Sequence, residues 1–163
     1  MARTVPDSIV TLSVLDRLID EDPRNSHEAQ PTRAQSVRRL KEAVRRDLEW
    51  LLNTRRVAVA PDEGLEYLNR SVYVFGLPDF TTYSLSSPAD QTRLVRQLQT
   101  VVTTFEPRLA SIRIVAVESP TASTRTLRFR VEGLLLMDPA PEHVSFDTVL
   151  ELTSGEYEVQ NAG

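Results

Sequence analysis

The sequence predicts an α+β domain: an antiparallel β-meander of three to four strands with two long helices packed on one face. Three observations carry this. Two stretches, 32–54 and 87–105, repeat apolar residues at three- and four-residue steps, which is the period of an amphipathic helix. From residue 111 onward the period falls to two, as in strands with one buried face. Turn-forming clusters at 119–124, 138–142 and 153–156 cut that last third into strand lengths. An antiparallel sheet with short connections has two faces, and two amphipathic helices can cover one of them.

Taken in order, Ile9 to Ile19 suggests a short amphipathic helix, with Val10, Leu12, Val14, Leu15, Leu18 and Ile19 apolar. Asp20 to Pro31 holds two prolines and many charges and reads as a linker or mobile loop. A long helix follows from about Thr32 to Thr54. Its stripe is Val37, Leu40, Val44, Leu48, Leu51 and Leu52, and Glu42–Arg46 and Arg45–Glu49 are expected i,i+4 pairs on its other face. The only tryptophan, Trp50, stands at the edge of this stripe and is expected to be partly buried against the sheet or the Gly76–Phe80 loop. Leu65 to Val74 predicts a short helix running into extended chain. Gly76-Leu77-Pro78-Asp79-Phe80 is a turn. The second long helix has a sharp start, with Ser87 as N-cap, Pro88 at the first position and Asp90 in the first turn. Its stripe is Leu94, Val95, Leu98, Val101, Val102 and Phe105. Ile112, Ile114 and Ala116, then Leu127, Phe129 and Val131, then Val144, Phe146, Thr148, Leu150 and Leu152 give three strands. Residues 157–160 offer a short fourth.

With 163 residues the chain is long enough for one well-packed domain, expected over 1–163 with a mobile N-terminal segment at about 1–31. A net charge of −4 argues against nucleic acid as a general partner, since such binding draws on phosphate neutralisation. No apolar run approaches the ~20 residues that span a bilayer, so direct membrane insertion is not expected. The first nine residues lack the apolar core of a signal peptide, and cysteine is absent. The expected location is cytoplasmic.

Composition also removes whole classes of chemistry. The five glycines are isolated, so no glycine-rich loop can cradle nucleotide phosphates. His27 and His143 are far apart and neither has a partner at metal-ligand spacing. The single lysine, Lys41, sits on a charged helix face, a poor place to activate an amine. No metal, cofactor or catalytic set is expected.

One constellation stands out. The second long helix ends in Phe105-Glu106-Pro107-Arg108-Leu109. Pro107 cannot continue the helix and disfavours helical angles at Glu106. Glu106 then lies at the negative end of the helix dipole, where a carboxylate is destabilising. A rigidly followed charge in an unfavourable place points to a charged handle held at a fixed angle. The alternatives are a plain helix-ending loop and an intramolecular pair that holds the corner.

The E-P-R triplet between helix and strand resembles that of the contractile-tail baseplate wedge family, sometimes labelled lysozyme-like. Within it the chain is most similar to the TssE group of type VI secretion baseplate subunits. Supporting stretches occur in the same order. They are Ser13-Val14-Leu15-Asp16-Arg17-Leu18, then Asp47-Leu48-Glu49-Trp50-Leu51-Leu52-Asn53-Thr54-Arg55, then Tyr73-Val74-Phe75-Gly76-Leu77-Pro78-Asp79-Phe80, then the strand bearing Leu127, Phe129, Val131 and Gly133. The departure is Tyr73-Val74-Phe75-Gly76, where asparagine-tyrosine-glycine is more usual.

The resemblance implies a structural subunit without enzymatic chemistry. It would link the wedge scaffold to the sheath and template sheath polymerisation, in a baseplate docked at the inner membrane. Implied partners are the wedge proteins TssF, TssG and TssK and the sheath subunits TssB and TssC. Implied partner-binding residues are Glu106, Pro107 and Arg108, with either a partner-binding or a structural role for Asp16, Arg17, Gly76, Pro78 and Asp79. The alternative, a muramidase-like peptidoglycan hydrolase, rests on the family's other label. Glu106 is its obvious acid, but Arg108 two residues on would favour the ionised carboxylate. Asp79 and Asp147 are the available second carboxylates.

Overall fold

The computed structural model describes residues 10, 12–19, 32–80, 83–84, 87–117, 126–151 and 156–161. Among the described residues there are three α-helices, α1 (Val14–Leu18), α2 (Arg33–Asn53) and α3 (Pro88–Phe105), with two 3-10 turns at Leu68–Arg70 and Val72–Val74. Four strands, β1 (Leu109–Val117), β2 (Thr126–Leu135), β3 (Glu142–Glu151) and β4 (Glu156–Asn161), form one antiparallel sheet in the order β1-β2-β3-β4. This is the expected α+β meander, with α3 against β1 and α2 against β4. The expected linker at 20–31 and the turns at 119–124 and 153–155 lie outside the described residues. No helix among the described residues is long and apolar enough to cross a membrane.

The helix limits follow from their caps. Thr32 accepts from the Gln35 N–H while the Gln35 side chain accepts from the Thr32 N–H, a reciprocal capping box. Ser87 caps α3, with Pro88 inside the first turn and Asp90 near the positive end of the dipole. Leu40, Val44, Leu48, Leu51 and Leu52 of α2 and Leu94, Leu98, Val101 and Val102 of α3 are buried. They meet Ile112 and Ile114 of β1, Phe129, Val131 and Leu135 of β2, Val144 and Phe146 of β3, and Tyr157 and Val159 of β4. The Phe129 and Tyr157 rings meet edge to face at 6.1 Å between centroids.

Ala116, expected on the buried face, is exposed, and strict alternation also breaks at the start of β1. Leu109 and Ile112 are both buried although three residues apart, an odd spacing that a regular strand cannot give. A bulge between Ala110 and Arg113 resolves this, with Ser111 in the left-handed region at φ 52°. Gly133 lies opposite, and a Cβ there would come within 3.2 Å of the Ala110 carbonyl oxygen. The glycine allows the bulged strand to close on β2.

Two expectations are corrected. Leu65 to Val74 forms the two separate 3-10 turns rather than a short helix running into extended chain. Trp50 is 57% exposed. It lies roughly 200° around the helix from Leu48, which puts it opposite the buried stripe and not at its edge. Its ring is covered on one side by the Arg46 guanidinium, 5.3 Å from the centroid. Trp50→Ala is therefore expected to cost only about 0.5–1 kcal/mol, the size of an exposed cation–π contact. Native emission near the water-exposed limit would agree; a strongly blue-shifted maximum would contradict the exposed ring.

Candidate functional site

The end of α3 shows what the misplaced carboxylate does. Glu106 is the C-cap residue, and its N–H donates to the Val102 carbonyl at 2.9 Å. Its side chain is 4% exposed. Arg108, two residues on, turns back over it. Arg108 Nε donates to Glu106 Oε1 at 2.6 Å, Nη2 donates to Oε2, and the Arg108 N–H also reaches Oε1 at 3.2 Å. A carboxylate that the helix dipole alone would disfavour is held by a two-pronged guanidinium. Pro107 between them, exposed at the surface, stops the helix so that Arg108 can fold back. Glu106 and Arg108 thus pair within the chain, and the Glu106 carboxylate is not presented to solvent.

The pair continues into a relay. Arg108 Nη2 donates to Asp47 Oδ2 on α2 at 2.7 Å. Asp47 Oδ1 accepts from Arg46 Nε at 3.0 Å and from Nη2 at 2.9 Å. Arg46 Nη2 then donates to Asp16 Oδ1 on α1 at 2.7 Å, and the Ser13 hydroxyl donates to Asp16 Oδ2 at 2.6 Å. Charges alternate along the line, so each of the three inner ions has an opposite neighbour on either side and each end ion has one. The hydrogen bond to Glu106 raises the Arg108 pKa against the opposing effect of burial, and Asp47 adds to the rise. Hydrogen bonds to Asp16 and Asp47 raise Arg46 in the same way. Burial pushes the Asp16 carboxyl up, but the hydrogen bonds from Ser13 and Arg46 and the charges of Arg46 and Arg108 together outweigh it and hold the pKa below the ordinary value.

That last shift has a pH consequence. A carboxyl whose folded pKa is lowered stabilises the folded state above its unfolded pKa, about 3.9, and loses that contribution as pH falls through the folded value. The docking of α1 should therefore persist at neutral pH and weaken in acid, below the usual carboxylate range. Hydrogen exchange at residues 14–18 should speed up in acid beyond the intrinsic rate, and Asp16→Asn should show the fast exchange already at pH 7. Unchanged protection in Asp16→Asn would remove the relay from the account of α1.

The second loop packs beside this corner. Gly76 has φ 99°, and a Cβ there would lie 2.3 Å from the Thr54 carbonyl oxygen. That close approach lets the Leu77 N–H donate to the Thr54 carbonyl at 2.8 Å and the Arg56 N–H donate to the Leu77 carbonyl at 3.0 Å. Leu77 and Phe80 are buried, Pro78 is half-buried and Asp79 is exposed. Gly76 and Pro78 therefore shape a loop locked to the end of α2. Asp16 is in the relay, whereas Arg17 is exposed.

Sequence reasoning named Arg45 and Arg46 only as members of charged pairs on the face of α2, and Asp47 and Asn53 only within the helix-end motif, and gave none of the four its observed partners. Glu42 pairs with Arg38 at 3.0 Å instead of Arg46, which is taken by Asp16 and Asp47; Arg45–Glu49 forms at 3.1 Å as expected. Asp47 carries a signal in hindsight, being a charged residue three positions from the buried Val44. Asn53 Nδ2 donates to the Tyr157 carbonyl at 2.8 Å, and the Tyr157 N–H donates to Asn53 Oδ1 at 2.8 Å. Arg45 Nη1 donates to the Val159 carbonyl at 3.1 Å. Side chains of α2 thereby occupy the outer edge of β4. On β1, Gln99 Nε2 donates to the Ile112 carbonyl at 3.0 Å. Beyond that point, over Ile114 to Val117, no side chain bonds the strand edge among the described residues.

A family model described as baseplate wedge protein gp25 matches residues 38–140, from α2 through β2. The chain belongs to the baseplate wedge protein gp25 family. The matched stretch contains Arg46, Asp47, the Gly76 loop and the Glu106–Pro107–Arg108 corner, so most of the relay lies within the wedge-family region; Asp16 and α1 lie outside it. Among solved structures, the chain is similar to one in "The baseplate complex from the type VI secretion system", at 18% identity and a TM-score of 0.48, covering 69% of this chain and 94% of that one. No curated protein matches.

Proposed function

We propose that this wedge-family chain is a TssE-like structural subunit of a type VI secretion baseplate. In this reading it joins the wedge scaffold, TssF, TssG and TssK, to the sheath subunits TssB and TssC, and templates the first sheath ring. The observation that carries the templating role is the asymmetry of the sheet edges. The β4 edge is filled by Asn53 and Arg45, whereas β1 leaves Ile114–Val117 without a side-chain partner among the described residues. An incoming sheath strand would add its main-chain hydrogen bonds there. Scaffold contacts at the corner would fall on Pro107 and the exposed part of Arg108, with Glu106 setting the guanidinium's position. The baseplate itself would place the chain in the cytoplasm beside the inner membrane.

The hydrolase alternative fares worse. A general acid must stand free beside the scissile bond with a second carboxyl opposite it. Here Glu106 and Asp47 are brought together but both are gripped by Arg108, and Glu106 is buried. Among the described residues, no group of three or more His, Cys, Asp or Glu could hold a metal ion.

The test is a gene deletion in the native cells with a fluorescent sheath subunit, alongside the purified protein on peptidoglycan. The reading predicts no sheaths after deletion, restoration by the intact gene, and no clearing of peptidoglycan. Normal sheaths after deletion would overturn it. So would clearing by the wild type that Glu106→Gln abolishes.

A further inference from the structure

The two edges of the sheet differ in charge as well as in closure. β4 is acidic, with Glu156 and Glu158 as its only charged residues. The open edge of β1 is flanked by arginines instead. On its core side β1 packs against α3, and Glu106, Pro107 and Arg108 join the two elements. The end of α3 at Phe105 therefore lies near Leu109, while Gln99, earlier in the helix, meets the Ile112 carbonyl. So α3 and β1 run in opposite directions, and stepping back along α3 leads toward Val117. Arg96 stands one turn before Gln99 on the same side of the helix, about 4.5 Å nearer that end. Helical side chains lean toward the helix N-terminus, which carries the guanidinium further the same way, beside Ile114–Val117. Arg93 follows one turn on. Both arginines are exposed, and neither has an acidic partner among the described residues.

The outer face of the sheet repeats the sign. Arg113 stands on β1 itself, and Arg128 lies across from Val117 on β2. Both are exposed, and neither joins an ion pair among the described residues. Nearby acids are fewer. The Asp90 carboxylate accepts from the Ser84 N–H at 3.1 Å, and Glu132 lies opposite Arg113. Arg130 and Asp147 neutralise each other, and Glu118 and Arg125, which adjoin β1 and β2 in sequence, cancel. Arg93, Arg96, Arg113 and Arg128 thus outnumber Asp90 and Glu132, a basic margin on a chain whose net charge is −4.

The occupant of such an edge is extended chain, because unpaired main-chain groups take main-chain partners. A second copy of this chain fits poorly: its own β1 edge carries the same charge, and its β4 edge is filled by Asn53 and Arg45. Ala116 is small and exposed on the α3 side, which leaves room there for a side chain of the incoming strand. We propose that the sheath segment received at Ile114–Val117 is an acidic strand. It places Asp or Glu on the side facing α3, where Arg96 pairs with it, and apolar side chains against Val115 and Val117 on the other face. Arg93 and Arg113 add attraction at longer range, which speeds encounter. The inference rests on the templating reading above and adds to it the chemistry of the segment that the edge selects.

The experiment uses the full chain in its native cells, with a photoreactive residue at position 116 and mass spectrometry of the crosslinked peptides. The expected product joins position 116 to a sheath-subunit segment in which Asp or Glu alternates with apolar residues. Arg96→Glu, an exposed change, should leave the melting temperature unchanged and reduce that crosslink on the order of tenfold or more. Arg39→Glu on α2, also exposed and equal in charge change, should not reduce it. Should Arg96→Glu fold poorly, Arg93→Glu should weaken the same crosslink. Wild-type crosslinking in these folded variants, an equal loss in Arg39→Glu, or a crosslinked sheath segment without acidic residues would overturn the acidic strand and leave the templating reading intact. A wild-type chain that crosslinks to no sheath subunit would overturn both.

Discussion

Gly76→Ala is expected to destabilise the protein by about 3 kcal/mol, through strain and displacement acting together. The backbone at Gly76 has φ 99°, a region that a Cβ disfavours, and that Cβ would stand 2.3 Å from the Thr54 carbonyl oxygen. The obstacle is backbone at the end of α2, so it cannot rotate aside as a side chain would. Relief requires the loop to lift, which breaks the Leu77–Thr54 and Arg56–Leu77 hydrogen bonds and withdraws the buried Leu77 from the core. Gly64 is the control: a Cβ there meets nothing within 4 Å, and Gly64→Ala should stay within about 0.5 kcal/mol. Chemical denaturation of the two variants measures both. Equal, small losses would show that the loop is not locked to α2.

Glu106→Ala is expected to cost about 3 kcal/mol, the lower end of the range for breaking a buried ion pair. The lower end applies because Arg108 keeps a quarter of its side-chain surface in water and retains Asp47 as a partner. Arg108→Ala strands the buried Glu106 carboxylate, while Asp47 keeps Arg46, and should cost as much or more. If Glu106 and Arg108 act as one unit inside the chain, the double change costs clearly less than the two single changes added. If instead both side chains serve only a neighbouring subunit, the double variant keeps the wild-type melting temperature and loses assembly alone. The buried, hydrogen-bonded geometry predicts the first outcome, and thermal unfolding of the isolated protein separates the two.

The helices were legible because their ends are written locally. Thr32 with Gln35 and Ser87 with Pro88 and Asp90 fix where α2 and α3 begin, and a 3.6-residue stripe fixes which face is buried. The strands were legible from period two, but the Ser111 bulge was not. It is demanded by packing Leu109 and Ile112 on one face, which only the folded sheet imposes. Trp50 shows the opposite failure. Its place in sequence beside Leu48, Leu51 and Leu52 suggested partial burial, but its angle on α2 sends it to water, and angle decides. At the corner, sequence exposed the oddity of Glu106 and its neighbours and left the pairing open. The relay could not be read, because Arg108 meets Asp47 across 61 positions and Arg46 meets Asp16 across 30. Such contacts depend on how α1, α2 and the end of α3 converge, and no local pattern encodes that.

The measurement closest to the central claim is electron cryo-microscopy of the contractile apparatus isolated from native cells. The account predicts this fold in the baseplate wedges below the first sheath ring. A sheath strand should lie along β1 at Ile114–Val117, while β4 stays closed by Asn53 and Arg45. Absence of the chain from the baseplate, or a sheath strand seated on β4 with β1 bare, would contradict it.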